Sequence, residues 1–105
     1  MKELSLAALK SKTAVGAEAR YRIGQLQYQN KEYDKAQEMA FDVINNMGSY
    51  DYWVAKSFIL LADTYAGKGD KFQAKKTLES VVENYEGSDD VIPLAKERLK
   101  KLNSK

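Results

Sequence analysis

The sequence predicts an all-α fold, a stack of about six helices built from a repeated helix–turn–helix unit, and three observations carry that reading. First, the stretch from Ala17 to Ile44 is followed by another, from Ala55 to Val82, that repeats its pattern at a constant offset of 38 residues. At that offset Ala17 falls on Ala55, Ile23-Gly24 on Leu61-Ala62, Ala36 on Ala74 and Ala40 on Leu78. Self-similarity at a fixed period of this length marks a repeat architecture. Second, the long apolar residues return in steps of three and four throughout, which is a helical period. Third, punctuation falls between those rows, at Asn30-Lys31-Glu32, Gly48-Ser49, Gly67 to Asp70 and Gly87 to Asp90; such residues end and restart helices.

Composition limits what the chain can be. Its 105 residues, 44% hydrophobic and 30% charged, describe one globular domain, 1–105, in which a sizeable core forms only if the units stack. Seventeen basic against fifteen acidic residues leave a net charge of +2, too small for a nucleic-acid footprint or a membrane-surface patch. There is no cysteine and no histidine. That removes disulfides, cysteine-based zinc sites, the thiol nucleophile and the commonest general base, so no cofactor is expected and the compartment stays open between cytoplasm and periplasm.

The elements follow in order. Residues 1–14 carry Leu4, Leu6, Ala8 and Leu9 on a short helix broken by Lys10, too short and polar for a signal or a spanning segment. It reads as the second helix of a preceding partial repeat or as an N-terminal cap. The first unit, 17–48, opens with a helix whose apolar rows are Ala19-Ile23-Leu26 and Tyr21-Gly24-Tyr28, and closes with one carrying Tyr33, Ala36, Ala40, Val43, Ile44 and Met47. Gly48 then stands where a left-handed cap belongs. The second unit, 50–87, is expected to start a turn early, near Tyr50, with Tyr50, Tyr52 and Trp53 sealing the joint between units rather than anchoring a partner. An indole is worth more in a small core than on a rim. Asp70 with Gln73 reads as a capping box, after which Phe72, Leu78, Val81, Val82 and Tyr85 face inward and the helix ends at Gly87. The last helix, 89–103, has Asp89 and Asp90 at its positive end and Lys100 and Lys101 at its negative end, with Pro93 in the first turn and Ile92, Ala95, Leu99 and Leu102 as its apolar face. Gly24, Ala36, Ala62 and Ala74 are the small residues that two closely crossing helices need.

With Ile23-Gly24 and Leu61-Ala62 in the Leu-Gly places, Phe58 in the Trp place, Tyr65 in the Tyr place and Ala36 and Ala74 in the Ala place, each unit resembles a tetratricopeptide repeat. Arg20 and Gln27 depart from the first unit's Trp and Tyr, and Gly48 and Glu86 stand where the closing Pro would be. The second unit is similar in wording to the terminal repeats of long bacterial members, some of them exported. The resemblance implies a right-handed α-α superhelix whose first helices line a concave groove, and a protein or peptide as partner. The groove stripe would be Glu18, Tyr21, Gln25 and Tyr28 with Gln29 beside it, continued by Lys56, Ile59, Asp63 and Ala66. Some members grip a terminal carboxylate with a Lys/Asn/Arg cluster; Tyr21, Gln25, Leu60 and Lys56 hold the matching places, so that clamp is mostly missing.

Catalysis has little to work with. Asp89 and Asp90 are adjacent and suit a helix cap, and Gly67-Lys68-Gly69 lacks the spacing of a phosphate-cradling loop. The reading is a non-enzymatic protein-interaction or scaffolding module. A structural segment of a longer array, and more remotely a helical-repeat RNA binder, are the alternatives. Tyr21 and Tyr28 can serve either as groove residues or as helix packing, and the apolar sides of the terminal helices, at Leu4, Leu6 and Leu9 or at Ile92 and Leu99, offer self-association.

Overall fold

A computed structural model describes residues 14–46, 51–87 and 89–103. The expectations for the helix before Ala14, for Met47, Gly48 and Ser49, and for Tyr50 lie outside them. Among the described residues there are five helices: α1 (Ala14–Gln29), α2 (Tyr33–Asn46), α3 (Asp51–Gly67), α4 (Lys71–Asn84) and α5 (Val91–Asn103). Each helix contacts the next, and α3 also contacts α1 and α5, whereas α2 and α4 do not meet. The odd-numbered helices thus form one row and α2 and α4 a second, splayed one. A stack whose first helices touch and whose second helices stand apart curves with the first helices on its inner side.

The turn inside each unit is the same turn. Lys31 N–H donates to Tyr28 O and Glu32 N–H to Gln27 O, and 38 residues on Gly69 N–H donates to Ala66 O and Asp70 N–H to Tyr65 O. This paired closure, a Schellman motif, requires a left-handed residue at its centre; Lys31 has φ 64° and Gly69 φ 90°. Asp70 then caps α4 by accepting from Gln73 N–H at 3.1 Å.

Packing follows the small residues. Ala36, Ala62 and Ala74 are buried, as is Gly24, where an added Cβ would lie 2.7 Å from Leu60 Cδ2 and 3.4 Å from Met39 Cβ. Helices α1, α2 and α3 converge there without room for a methyl. Most of the core lies between α3, α4 and α5, with Ala55, Ile59, Ala62, Ala74, Leu78, Val81, Val91 and Ala95 buried together. Arg20, in the place Phe58 takes in the second unit, is buried through an ion pair with Asp42 at 2.7 Å and a bond from its Nη1 to Gly16 O.

Four expectations are corrected. Phe72 does not face inward; it is 69% exposed. The buried stripe of α4 runs Ala74, Leu78, Val81, and a residue two before Ala74 sits about 200° round the helix from it. Helix α4 ends at Asn84 instead of Gly87, with Tyr85 extended and its N–H bonded to Val81 O. On α5 the fully buried positions are Val91 and Ala95 rather than Ile92, and Leu99 is only partly buried against the core. The row ending at Leu26 reaches the surface there.

Candidate functional site on the row of first helices

The inner row consists of α1, α3 and α5, and the residues of the expected groove divide between a joint and a recess. Tyr21 is 6% exposed, its ring centroid 5.6 Å from that of Trp53 at the start of α3. Lys56 Nζ lies 5.6 Å from the Tyr21 and Tyr52 rings and 3.1 Å from Asp90 Oδ2, and Tyr52 donates its phenolic hydrogen to Asp90 Oδ1 at 2.8 Å. One cation between two rings and a carboxylate therefore ties α1, α3 and the entry of α5 together. Its hydrogen bonds from Tyr52 and Lys56 hold the Asp90 carboxyl below the usual range, and burial, with the Asp63 charge adding to it, pushes the Tyr21 phenol up to about 12.

This joint overturns part of the expected surface. Tyr21 and Ile59 are not open to a ligand: Tyr21 is covered by the aromatic start of α3, and Ile59, 1% exposed, is buried in the core cluster that α3 shares with α4 and α5. Tyr21 packs against the following helix, at Trp53. The expectation that Trp53 seals the joint holds, since it packs against Tyr21, Val43 and Ala17. Glu18 is occupied by Arg22 one turn on, at 2.7 Å. Gln25 is half-buried and Gln29 exposed, both at the edge of the row.

Farther along the row a recess of about 310 Å³ opens between the three first helices, lined by Tyr28 of α1, Ala62, Asp63 and Ala66 of α3, and Arg98, Lys101 and Leu102 of α5, with Leu78 as its floor. Arg98 Nε donates to both Asp63 oxygens, at 3.0 and 3.3 Å. Burial pushes the Asp63 carboxyl above its usual range against the pull of Arg98, and pushes the Tyr28 phenol upward as well. The Tyr28 ring leans on Tyr33 at 5.8 Å. The recess thus combines an apolar floor, a phenol, and two cations beside one already engaged carboxylate. Such a mixture can hold an apolar side chain and orient a negatively charged or carbonyl group next to it.

Of the expected residues, the structure brings Tyr28 and Asp63 together here and leaves Tyr21, Lys56 and Ile59 in the joint. Arg98, Lys101 and Leu102 were missed because the last helix was read only as a cover. The signal was present: carrying the offset of 38 one step further puts Gln25, Asp63 and Lys101 in one row, which makes α5 a third first-type helix. Among the described residues no helix is long and apolar enough to cross a membrane.

Comparison with known proteins agrees with this geometry. The family model described as tetratricopeptide repeat matches residues 18–46 and 52–88, more than half of the chain. No curated protein and no solved structure matches. Repeats of this kind generally mediate protein–protein interaction or scaffolding and are typically non-enzymatic. Two tandem helix pairs with the same left-handed turn, stacked through small residues at their crossings and matched over both units, place the chain in the tetratricopeptide repeat family.

Proposed function

We propose that the chain is a non-catalytic module that takes an extended segment of a partner protein across its first helices, centred on the recess between Tyr28, Asp63, Arg98 and Lys101. The observation that carries this reading is the recess itself, where three successive first helices present apolar and polar lining side by side while Tyr21 and Ile59 are buried. Its chemistry favours a segment with an apolar residue beside an acidic one. Nucleic acid suits it less, because the Asp63 carboxylate stands among the cations of the recess. In this reading 17–48 and 50–87 are the two units and 89–103 closes the second while lending its outer side to the site.

A peptide library displayed against the folded protein tests it. Wild type should enrich acidic segments with an apolar neighbour. Tyr28→Ala and Lys101→Glu should each weaken the selected peptide by on the order of 2 kcal/mol; Lys101→Glu should leave the melting temperature nearly unchanged, whereas Tyr28 also packs on the core, so its variant is compared at equal folded fraction. Equal enrichment by wild type and both variants would refute the site. The second reading, a purely structural segment of a longer array, is favoured by the consumption of Tyr21, Lys56 and Ile59 in packing, and predicts no enrichment at all.

A further inference from the structure

Apart from its N-cap Asp70, helix α4 carries its charges against its own dipole. Its first turn contains no acidic residue and its last turn no basic one, while Lys71, Lys75 and Lys76 lie toward its head and Glu79, Glu83 and Glu86 along and just past its tail. Cations at the positive end of a helix and anions at the negative end are each unfavourable by a few tenths of a kcal/mol or more. In the same chain α2 and α3 each carry an aspartate in the first turn, the favourable arrangement. Set among the lysines is Phe72, 69% exposed, with Lys76 Nζ 5.5 Å from its ring centre. At the other end of the helix a pocket of about 520 Å³ opens between α3 and α4. Val54, Ala55, Phe58 and Val81 line its apolar part, Asp51 and Glu86 stand among its lining residues, and among the described residues no lysine or arginine does. Asp89 bonds the Tyr85 hydroxyl at 2.6 Å beside it.

We propose that α4 mediates head-to-tail self-association, the exposed Phe72 of one copy seating in the α3–α4 pocket of the next, with Lys71, Lys75 and Lys76 meeting the Asp51 and Glu86 carboxylates. The two halves are complementary in shape, one projecting ring and one apolar recess, and in charge, a basic collar and an acidic rim. Each lies at an opposite end of one helix, so a single molecule cannot satisfy itself and the contact is heterologous, adding copies in a row. The arrangement that costs α4 stability within one chain is the one that brings positive helix ends to negative rims between chains. This surface is separate from the recess on the first helices and stands or falls independently of it.

Sedimentation of the full chain tests the proposal. At about 20 mM salt the average mass should rise with concentration above the 11.9 kDa of one chain, and it should fall back as salt screens the contact at roughly 0.5 M. Phe72→Ala should weaken the association constant at least about tenfold, as loss of a central aromatic anchor does. The triple change Lys71→Glu, Lys75→Glu, Lys76→Glu should abolish association while the helical signal is kept, because it replaces the lysines with charges that the helix dipole prefers. Asp51→Lys with Glu86→Lys should abolish it too, and mixing the two folded variants should restore it, acidic heads meeting basic rims. A wild-type chain that stays monomeric to about 1 mM at low salt, association untouched by Phe72→Ala, or folded variants that fail to associate on mixing would each overturn the proposal.

Discussion

Lys31→Gly should stabilise the protein, and the second unit supplies the reason. Lys31 and Gly69 occupy equivalent places in two turns with the same hydrogen bonds, 38 residues apart, and both have positive φ, 64° and 90°. A residue with a Cβ held in the left-handed region costs roughly 1–2 kcal/mol that glycine avoids. Glycine gives back about 0.5–1 kcal/mol through the greater freedom of its unfolded chain. The net gain is therefore about 0.5–1 kcal/mol, or on the order of 2–6 °C in melting temperature for a domain of this size. The reverse change is a clean control: a Cβ built on Gly69 meets nothing within 4 Å, so any loss from Gly69→Ala is backbone strain and not collision, and should be about 1 kcal/mol. Thermal and urea unfolding of both variants check the pair. A lowered melting temperature for Lys31→Gly, or no change for Gly69→Ala, would refute the claim that the two turns are held by the same left-handed closure.

Three further outcomes follow from particular contacts. Ser57 is fully buried and its hydroxyl has no hydrogen-bond partner among the described residues; the first unit has Ala19 in that place, so Ser57→Ala should be neutral or stabilising by up to about 1 kcal/mol in urea unfolding. Gly24→Val should cost roughly 1–3 kcal/mol, read as a fall in the urea midpoint, because its Cβ would lie 2.7 Å from the Leu60 methyl in a closed crossing. Above pH about 10 stability should fall. The phenols of Tyr21, Tyr52 and Tyr85 are pushed up to about 12, Tyr21 and Tyr52 foremost by burial and Tyr85 foremost by its bond to Asp89. Their contribution is intact below the unfolded value near 10 and is lost as pH rises through about 12, since in that window the unfolded chain ionises first. Urea midpoints measured across the range, with Tyr21→Phe flattening the decline, check the sign.

Much of the fold could be read because two kinds of information agreed at the same positions. Small residues at Gly24, Ala36, Ala62 and Ala74 mark where backbones approach, and each is buried. Asp70 caps α4 by the bond its spacing with Gln73 implies. Phe72 was misplaced because a helical stripe was counted by hydrophobicity alone; an aromatic ring two residues before Ala74 belongs to the opposite face whatever its apolar area. The end of α4 falls short of Gly87, where a glycine is expected to stop it, because the chain leaves the helix through an extended Tyr85 whose ring is held by Asp89. The site was only half legible. Tyr28 and Asp63 lie in the recess, but the burial of Tyr21 and Ile59 depends on which residues of neighbouring helices pack on them, and spacing within one unit does not contain that information.

The same dependence explains where the row is open. Along the inner row Trp53 at the start of α3 packs on Tyr21 of α1, and Ile59 of α3 is buried in a cluster that includes Val91 and Ala95 at the start of α5. Toward the C-terminal halves the covering side chains are mixed, Leu102 standing beside Arg98 and Lys101. Ala62 and Ala66 of α3 leave a gap, and α5 answers it with Arg98 and Lys101 rather than a ring. An arginine there can reach Asp63 without filling the space between α1 and α5, which keeps the layers tied while leaving the recess open. Replacing Arg98 by a large apolar residue would close the recess and strand a half-buried carboxylate, a cost of about 1–3 kcal/mol for an unpaired polar group even before any ligand is considered. The opening is thus held by an ion pair where hydrophobic packing would have shut it, which is the physical ground for proposing this end of the row as the site.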